Sequence, residues 1–420
     1  MVISFTGVLV LGIVSVLVPV VLALVPRLPV PGAVLEVIAG IVIGPSVLGW
    51  VHIDAAITVL SDLGLGMLLF LAGLEIDVSG LRGPLARMAG LAFAASAGLG
   101  VGVGFALSGA GLTSKPLFLA VVLMSTSAGL LLPILKDAEE ESTRFGQLVM
   151  TAAALAEVAT ILLLSLLFSA TSRTSASRLA SLVIFLALLA VLAFALSEVR
   201  RLDALDRLLD RLEDRSAQLR VRATLTLALA FGVLAYQFGF ASILGAFAAG
   251  LLVRAIDLNG GRPHPQFETK LQGIGFGFLI PIFFIATGVQ FDLRALLSHP
   301  VAVAEVPLFL VALLVVRGVP ALAYTRLIGR HRSTVAGLMQ ATSLTFVIVA
   351  TEIGVAAHLI STTTSASLLA AGLLSAALFP ALALRLLTTA PPPGPDDQGD
   401  SMVPAAEIRA AVDPKSDRDS

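Results

Sequence analysis

Thirteen apolar stretches of 17 to 27 residues run through the chain, at 4–25, 30–48, 59–76, 87–108, 116–135, 146–170, 179–198, 222–238, 240–256, 271–290, 302–325, 334–356 and 362–388. A helix of about 20 residues crosses the roughly 30 Å hydrocarbon core of a bilayer. Backbone polar groups have no water to bond to there, so each stretch is expected as a helix. The chain is 57% hydrophobic and 13% charged, against roughly 25% charged for soluble domains. These figures predict an all-α polytopic membrane protein with 13 transmembrane helices.

Loop charge orients the bundle. With the N-terminus outside, 22 of the 27 basic residues fall in cytoplasmic loops and the C-terminal tail. Lys115, Arg173, Arg178 and Arg294 remain outside, and Arg317 is left within a span. The asymmetry predicts N-out/C-in, with the protein multi-pass in the cell (inner) membrane. No basic residue precedes the first apolar run and no small-residue cleavage site follows it, so it reads as a span rather than a signal peptide.

Other classes find little support. A net charge of −1, with basic residues spread among loops, gives no nucleic-acid footprint. The absence of Cys removes disulfides and thiolate metal sites. The five His are scattered over loops and helix ends, and no nucleophile–base pair or metal-ligand spacing appears, so no cofactor, no resident metal and no enzyme activity are expected. The glycine runs Gly98, Gly100, Gly102, Gly104 and Gly273, Gly275, Gly277 lie inside apolar spans and read as close helix packing, not phosphate loops.

The stretch 199–221 places Leu202, Leu205, Leu209 and Leu212 on one face, an amphipathic surface helix joining two halves. Residues 390–420 are Pro-rich and charged, and a disordered cytoplasmic tail is expected there.

Charge inside the spans points to function. Glu157 sits mid-way along 146–170, where a carboxylate costs at least a few kcal/mol unless it has a partner, a proton or a cavity. Ala153, Ala154 and Thr160, three or four residues away, give it a small-residue face. The simpler alternative is a protonated carboxyl used only for helix packing. Arg317, mid-span in 302–325, cannot shed its proton and must find an anion or a cavity. Glu157 is the carboxylate expected at similar depth, so a Glu157–Arg317 ion pair is predicted. Snorkelling, or bonding to freed carbonyls of a broken helix, is the alternative.

Two spans carry hydroxyl clusters at mid-depth. The fifth holds Ser125, Thr126, Ser127 and Gly129 before Pro133, and the twelfth holds Gln340, Thr342, Ser343 and Thr345. Paired interruptions in two halves of a chain mark a transporter's site, because unwound backbone offers carbonyls and half-helix ends to an ion. Alternatively, the hydroxyls simply back-bond to their own helices.

The stretches VLEVIAGIVIGPSVLGW (34–50), LSDLGLGMLLFLAGLEIDV (60–78), MSTSAGLLLPILKD (124–137), ILGAFAAGLLV (243–253) and GFGFLIPIFFIATGVQFDL (275–293) resemble monovalent cation:proton antiporters of the sodium/hydrogen exchanger superfamily, in its bacterial antiporter-2 branch. The resemblance covers almost the whole membrane part.

It implies a membrane antiporter domain over 1–389 with two inverted-topology repeats and crossed broken helices 5 and 12. Core helices would lie within 87–170 and 302–388, scaffold helices within 4–76 and 222–290, and a linker over 171–221. It also implies a homodimer in membrane lipid. Glu157 would bind the cation (Na+ or K+) or H+, and Arg317 would pair with it. Ser125, Thr126, Ser127, Thr342 and Ser343 would line the site.

Relatives usually carry Asp after Asp, Asn or Gln, where this chain has Ala156 and Glu157. The nucleotide-sensing domain of potassium-efflux relatives is not expected. One carboxylate serving both cargoes predicts electroneutral exchange. The rival reading is a monovalent cation channel or a non-transporting membrane sensor; a channel needs a continuous polar path, and the mid-membrane polar groups are isolated.

Overall fold

The computed structural model describes residues 5–24, 30–76, 84–168, 180–185, 187–188, 191, 218–259 and 265–388. All regular structure among them is helical. Most of 179–198 and 199–221, and the whole tail 390–420, lie outside the described residues.

The helices are α1 (Phe5–Leu24), α2 (Gly32–Ile43), α3 (Ala55–Glu75), α4 (Pro84–Gly109), α5 (Pro116–Leu123), α6 (Ala128–Asp137) and α7 (Arg144–Leu167). They continue as α8 (Leu219–Gln237), α9 (Ser242–Asn259), α10 (Pro265–Ile274), α11 (Ile280–Gln290), α12 (Leu293–Ser298), α13 (Pro300–Leu313), α14 (Thr325–Gln340), α15 (Thr345–Ala356) and α16 (Thr362–Thr388). Eight described helical segments are long and apolar enough to cross a membrane, and Gly32–Ile43 and Ser242–Ala255 are shorter apolar helices.

The molecule is apolar outside and polar at its centre. Phe5 and Leu24 of α1 are 80% and 76% exposed, while Ser125, Thr126, Thr342 and Ser343 have no exposed surface. A lipid surround makes such an exposed apolar surface favourable.

The helices pack into two groups. In the first, α9 lies against α3 and α8, and α11 lies against α2 and α3. In the second, α4 packs on α5 and α7, α13 on α16, and α14 on α7 and α16. Contact between the groups is sparse, and α2 touches α16 only lightly. Within the first group glycines set the spacing. A Cβ on Gly40 would overlap the Ile285 carbonyl of α11, and one on Gly288 would overlap the Val37 carbonyl of α2. The backbones of α2 and α11 are therefore in contact, which small residues permit in membranes. Of the glycine run in α4, Gly104 abuts the Pro116 carbonyl and Gly100 approaches Ala120, while Gly98 and Gly102 face open space.

Several helices depart from the expected spans. α2 stops at Ile43 rather than at 48, about 18 Å long. Pro45 excludes the helical region for Gly44, which is extended (φ −74°, ψ 178°). Two π turns, Gly275–Leu279 and Leu314–Gly318, precede Pro281 and Pro320. Neither proline can donate to the carbonyl four residues back, and each ring crowds it, so the helix widens at that point. After Leu314–Gly318 the chain tightens into a 3-10 helix over Val319–Tyr324.

Candidate functional site

Thr143 caps α7 by accepting from the Gly146 N–H at 3.1 Å. The helix buries Phe145, Leu148, Val149, Ala152, Ala153, Ala156, Glu157, Thr160, Ile161 and Leu164, a stripe with the helical period. Glu157 lies on that stripe, 5% exposed, and so faces the interior and not lipid. The alanines beside it let neighbouring helices approach.

The chain leaves the helix at 124–127 and again at 341–344, and the two interruptions touch. The Ser127 N–H donates to the Thr342 carbonyl at 3.0 Å. Ser127 Oγ accepts from both the Leu344 and the Thr345 N–H, each at 3.0 Å. Thr126 Oγ1 donates to the Gln340 carbonyl at 2.6 Å, and Ser125 Oγ shares a hydrogen bond with Ser343 Oγ. Ser375 of α16 closes the far side, accepting from the Ser343 N–H at 3.1 Å. Back-bonding to the same helix occurs as well, from Ser125 to Val122 and from Thr160 to Ala156, both at 2.7 Å. The hydroxyls thus replace backbone bonds lost where each helix stops.

Each interruption brings a helix C-terminus and a helix N-terminus to the middle of the bundle. Arg317 lies beside the C-terminal ends of α5 and α14. Its Nε donates to Thr126 Oγ1 at 2.8 Å, one Nη to Ser96 Oγ at 3.2 Å and the other to Gln340 Oε1 at 3.4 Å. The Phe93 ring lies 5.8 Å from its guanidinium carbon.

The predicted Glu157–Arg317 ion pair is therefore absent. Depth alone suggested that the two opposite charges meet, but Arg317 is taken up by Thr126, Ser96 and Gln340 instead. Oε2 of Glu157 is buried with no partner at all, a costly state for a carboxylate.

Two contributors were not legible as site residues. Ser96 is a lone serine among alanines and glycines in α4, which periodicity cannot distinguish from packing. Gln340 was visible only as part of a polar cluster.

Among the described residues, cavities between the helix groups include one at each end of the bundle. One, of about 580 Å³, is lined by Asp62, Thr287, Gln290, Asp292, Thr351 and Glu352. The other, of about 480 Å³, is at the opposite end, against Pro31, Glu36, Gly129, Pro133, Pro281 and Thr345. Glu157 lines neither cavity, but Gly129 and Thr345 place the second one next to the crossing.

A lipid-facing apolar shell around crossed helix interruptions and two buried charges defines a polytopic α-helical membrane protein of the build used by secondary transporters. More narrowly, the chain belongs to the sodium/hydrogen exchanger family: the profile described as "Sodium/hydrogen exchanger, transmembrane" matches residues 12–387.

YjbQ of Bacillus subtilis (strain 168), a candidate Na(+)/H(+) antiporter by its name, is 29% identical over 371 residues, covering 84% of this chain and 58% of its own length. The Na(+)/H(+)-K(+) antiporter GerN of Bacillus cereus is 28% identical over 267 residues, covering 63% of this chain and 66% of GerN. The chain thus spans less than two thirds of either relative. The solved structure of the sodium proton antiporter MjNhaP1 from Methanocaldococcus jannaschii at pH 8 shares the fold. Its TM-score is 0.59 at 15% identity, over 91% of this chain and 98% of that one.

Proposed function

We propose that the protein is a secondary active antiporter exchanging a monovalent cation, Na+ or K+, for H+ across the cell membrane. The observation that carries this reading is Glu157: a buried carboxyl with one oxygen unpartnered, on a helix packed against the half-helix α6 that leaves one of the two touching interruptions. An oxygen in that position is stable when it bears a proton or meets a dehydrated cation, and the two compete for it. Carbonyls and hydroxyls of Ser125, Thr126, Ser127, Thr342 and Ser343 complete the cation's shell.

Arg317 serves as a positioning residue, holding the C-terminal ends of α5 and α14 together. In this reading 13 spans run N-out/C-in as two inverted repeats. The helices of 87–170 and 302–388 form a core that moves as a rigid body against a dimeric scaffold. The names of the relatives supply the cargo. One cation for one proton on a single carboxyl moves no net charge, so exchange is electroneutral.

Purified protein in proteoliposomes with a pH-sensitive dye, challenged with Li+, Na+, K+ and Rb+, tests the reading. Saturable, cation-driven proton movement is expected, insensitive to an imposed membrane potential and lost in Glu157→Gln. Single-channel current, or wild-type rates in that variant, overturns it.

A further inference from the structure

The cavity of about 480 Å³ has two facing walls. One belongs to the first helix group, through Pro31, Glu36, Phe284 and Pro281, and the other to the second, through Gly129 and Thr345. Among the described residues, and apart from backbone, the Glu36 carboxylate and the Thr345 hydroxyl are its polar lining. Thr345 opens α15, and its N–H is held by Ser127 Oγ, so the cavity ends on the crossing itself. At its other end it meets Pro133 near the close of α6, where Lys136 marks the basic side of the bundle.

Glu36 is half-buried, and no described residue hydrogen-bonds or pairs with it. It sits one turn before Gly40, whose contact with the α11 backbone fixes that wall. A carboxylate left unpaired in an apolar-walled cavity is expensive unless it meets mobile cations from water. Field lines focused by such walls raise the local cation concentration.

We propose that Glu36 is the access carboxylate of the cytoplasmic passage, concentrating the monovalent cation between the cytosol and the crossing without belonging to the binding site. This rests on the antiporter reading and its N-out orientation. The consequence is one-sided. Glu36 belongs to the fixed wall of the inner cavity, so it governs capture from the cytoplasm and has no part in capture from outside.

Everted and right-side-out membrane vesicles separate the two faces. In Glu36→Gln the KM for Na+ or K+ presented at the cytoplasmic face rises about three-fold or more at low ionic strength, with the maximal rate and the KM at the outer face unchanged. The increase shrinks toward 0.15 M inert salt, as screening shortens to about 8 Å. Glu36→Asp keeps the wild-type KM.

Because the chain has no Cys, Glu36→Cys supplies a unique thiol. Modification from the cytoplasmic face with an impermeant anionic methanethiosulfonate restores the KM, whereas a cationic one raises it further. An unchanged inner KM in Glu36→Gln, an equal rise at both faces, or a thiol unreactive from the cytoplasm overturns the proposal. Misfolding of Glu36→Gln, visible by size exclusion, leaves the Glu36→Cys arms to decide. A wild type that moves no protons with cations brings down the antiporter reading and this proposal together. A wild type that exchanges without the one-sided effect removes Glu36 alone.

Discussion

Arg332 and Glu140, 192 positions apart, form a two-pronged ion pair, Nη2 to Oε1 at 3.0 Å and Nη1 to Oε2 at 3.3 Å. The side chains are only 9% and 12% exposed, Thr143 Oγ1 adds a 2.6 Å bond to Glu140 Oε2, and Arg332 lies over the Phe145 ring at 5.6 Å. The pair ties the turn between α6 and α7 to the start of the helix that leads into the second interruption. Gly329, at φ 77°, makes the bend that aims Arg332 there.

Removing one partner leaves the other charge sequestered. Arg332→Ala and Glu140→Gln should each cost about 3 kcal/mol of stability, read as a lower melting temperature in detergent. In a double-mutant cycle the two losses should fall well short of additive. Additive losses would show that the two side chains act independently.

Arg317 donates to three different groups in one plane, which an ammonium cannot match. Arg317→Lys should therefore lower the maximal exchange rate at least about ten-fold while leaving an intact fold. Thr126→Val should reproduce part of that loss. A Lys variant at wild-type rate would mean that charge alone is needed at this position.

A single oxygen, Ser127 Oγ, satisfies two backbone N–H groups at the start of α15. Ser127→Ala strands both, at about 1 to 3 kcal/mol each. The melting temperature should drop, and hydrogen exchange at Leu344 and Thr345 should speed up. Unaltered exchange at those amides would assign their protection to other groups.

The glycines of α4 offer a paired control. Gly104→Ala drives a methyl into the Pro116 carbonyl, whereas Gly98→Ala meets nothing within 4 Å. The first should destabilise by about 2 kcal/mol. The second should be neutral or slightly stabilising, since alanine favours the helix. Similar melting temperatures for the two variants would contradict the packing.

Sequence alone determined the material of this protein. Runs of apolar residues with the length of a bilayer crossing can only be helices, because lipid offers backbone groups no other partner. Hydroxyl clusters at 125–127 and 342–345 mark where the helices stop, because Ser and Thr supply the bonds that the backbone gives up. A carboxyl at 157 and a guanidinium at 317 were conspicuous for the cost of burying charge.

Only the tertiary structure decided what those charges meet. Depth along a span is one coordinate, and it made Glu157 and Arg317 look like partners. The three-dimensional packing gives Arg317 the side chains of Thr126, Ser96 and Gln340 and leaves an oxygen of Glu157 buried without a partner. The same limit hid Ser96 and the Glu140–Arg332 pair, since each depends on contacts between segments far apart in the chain.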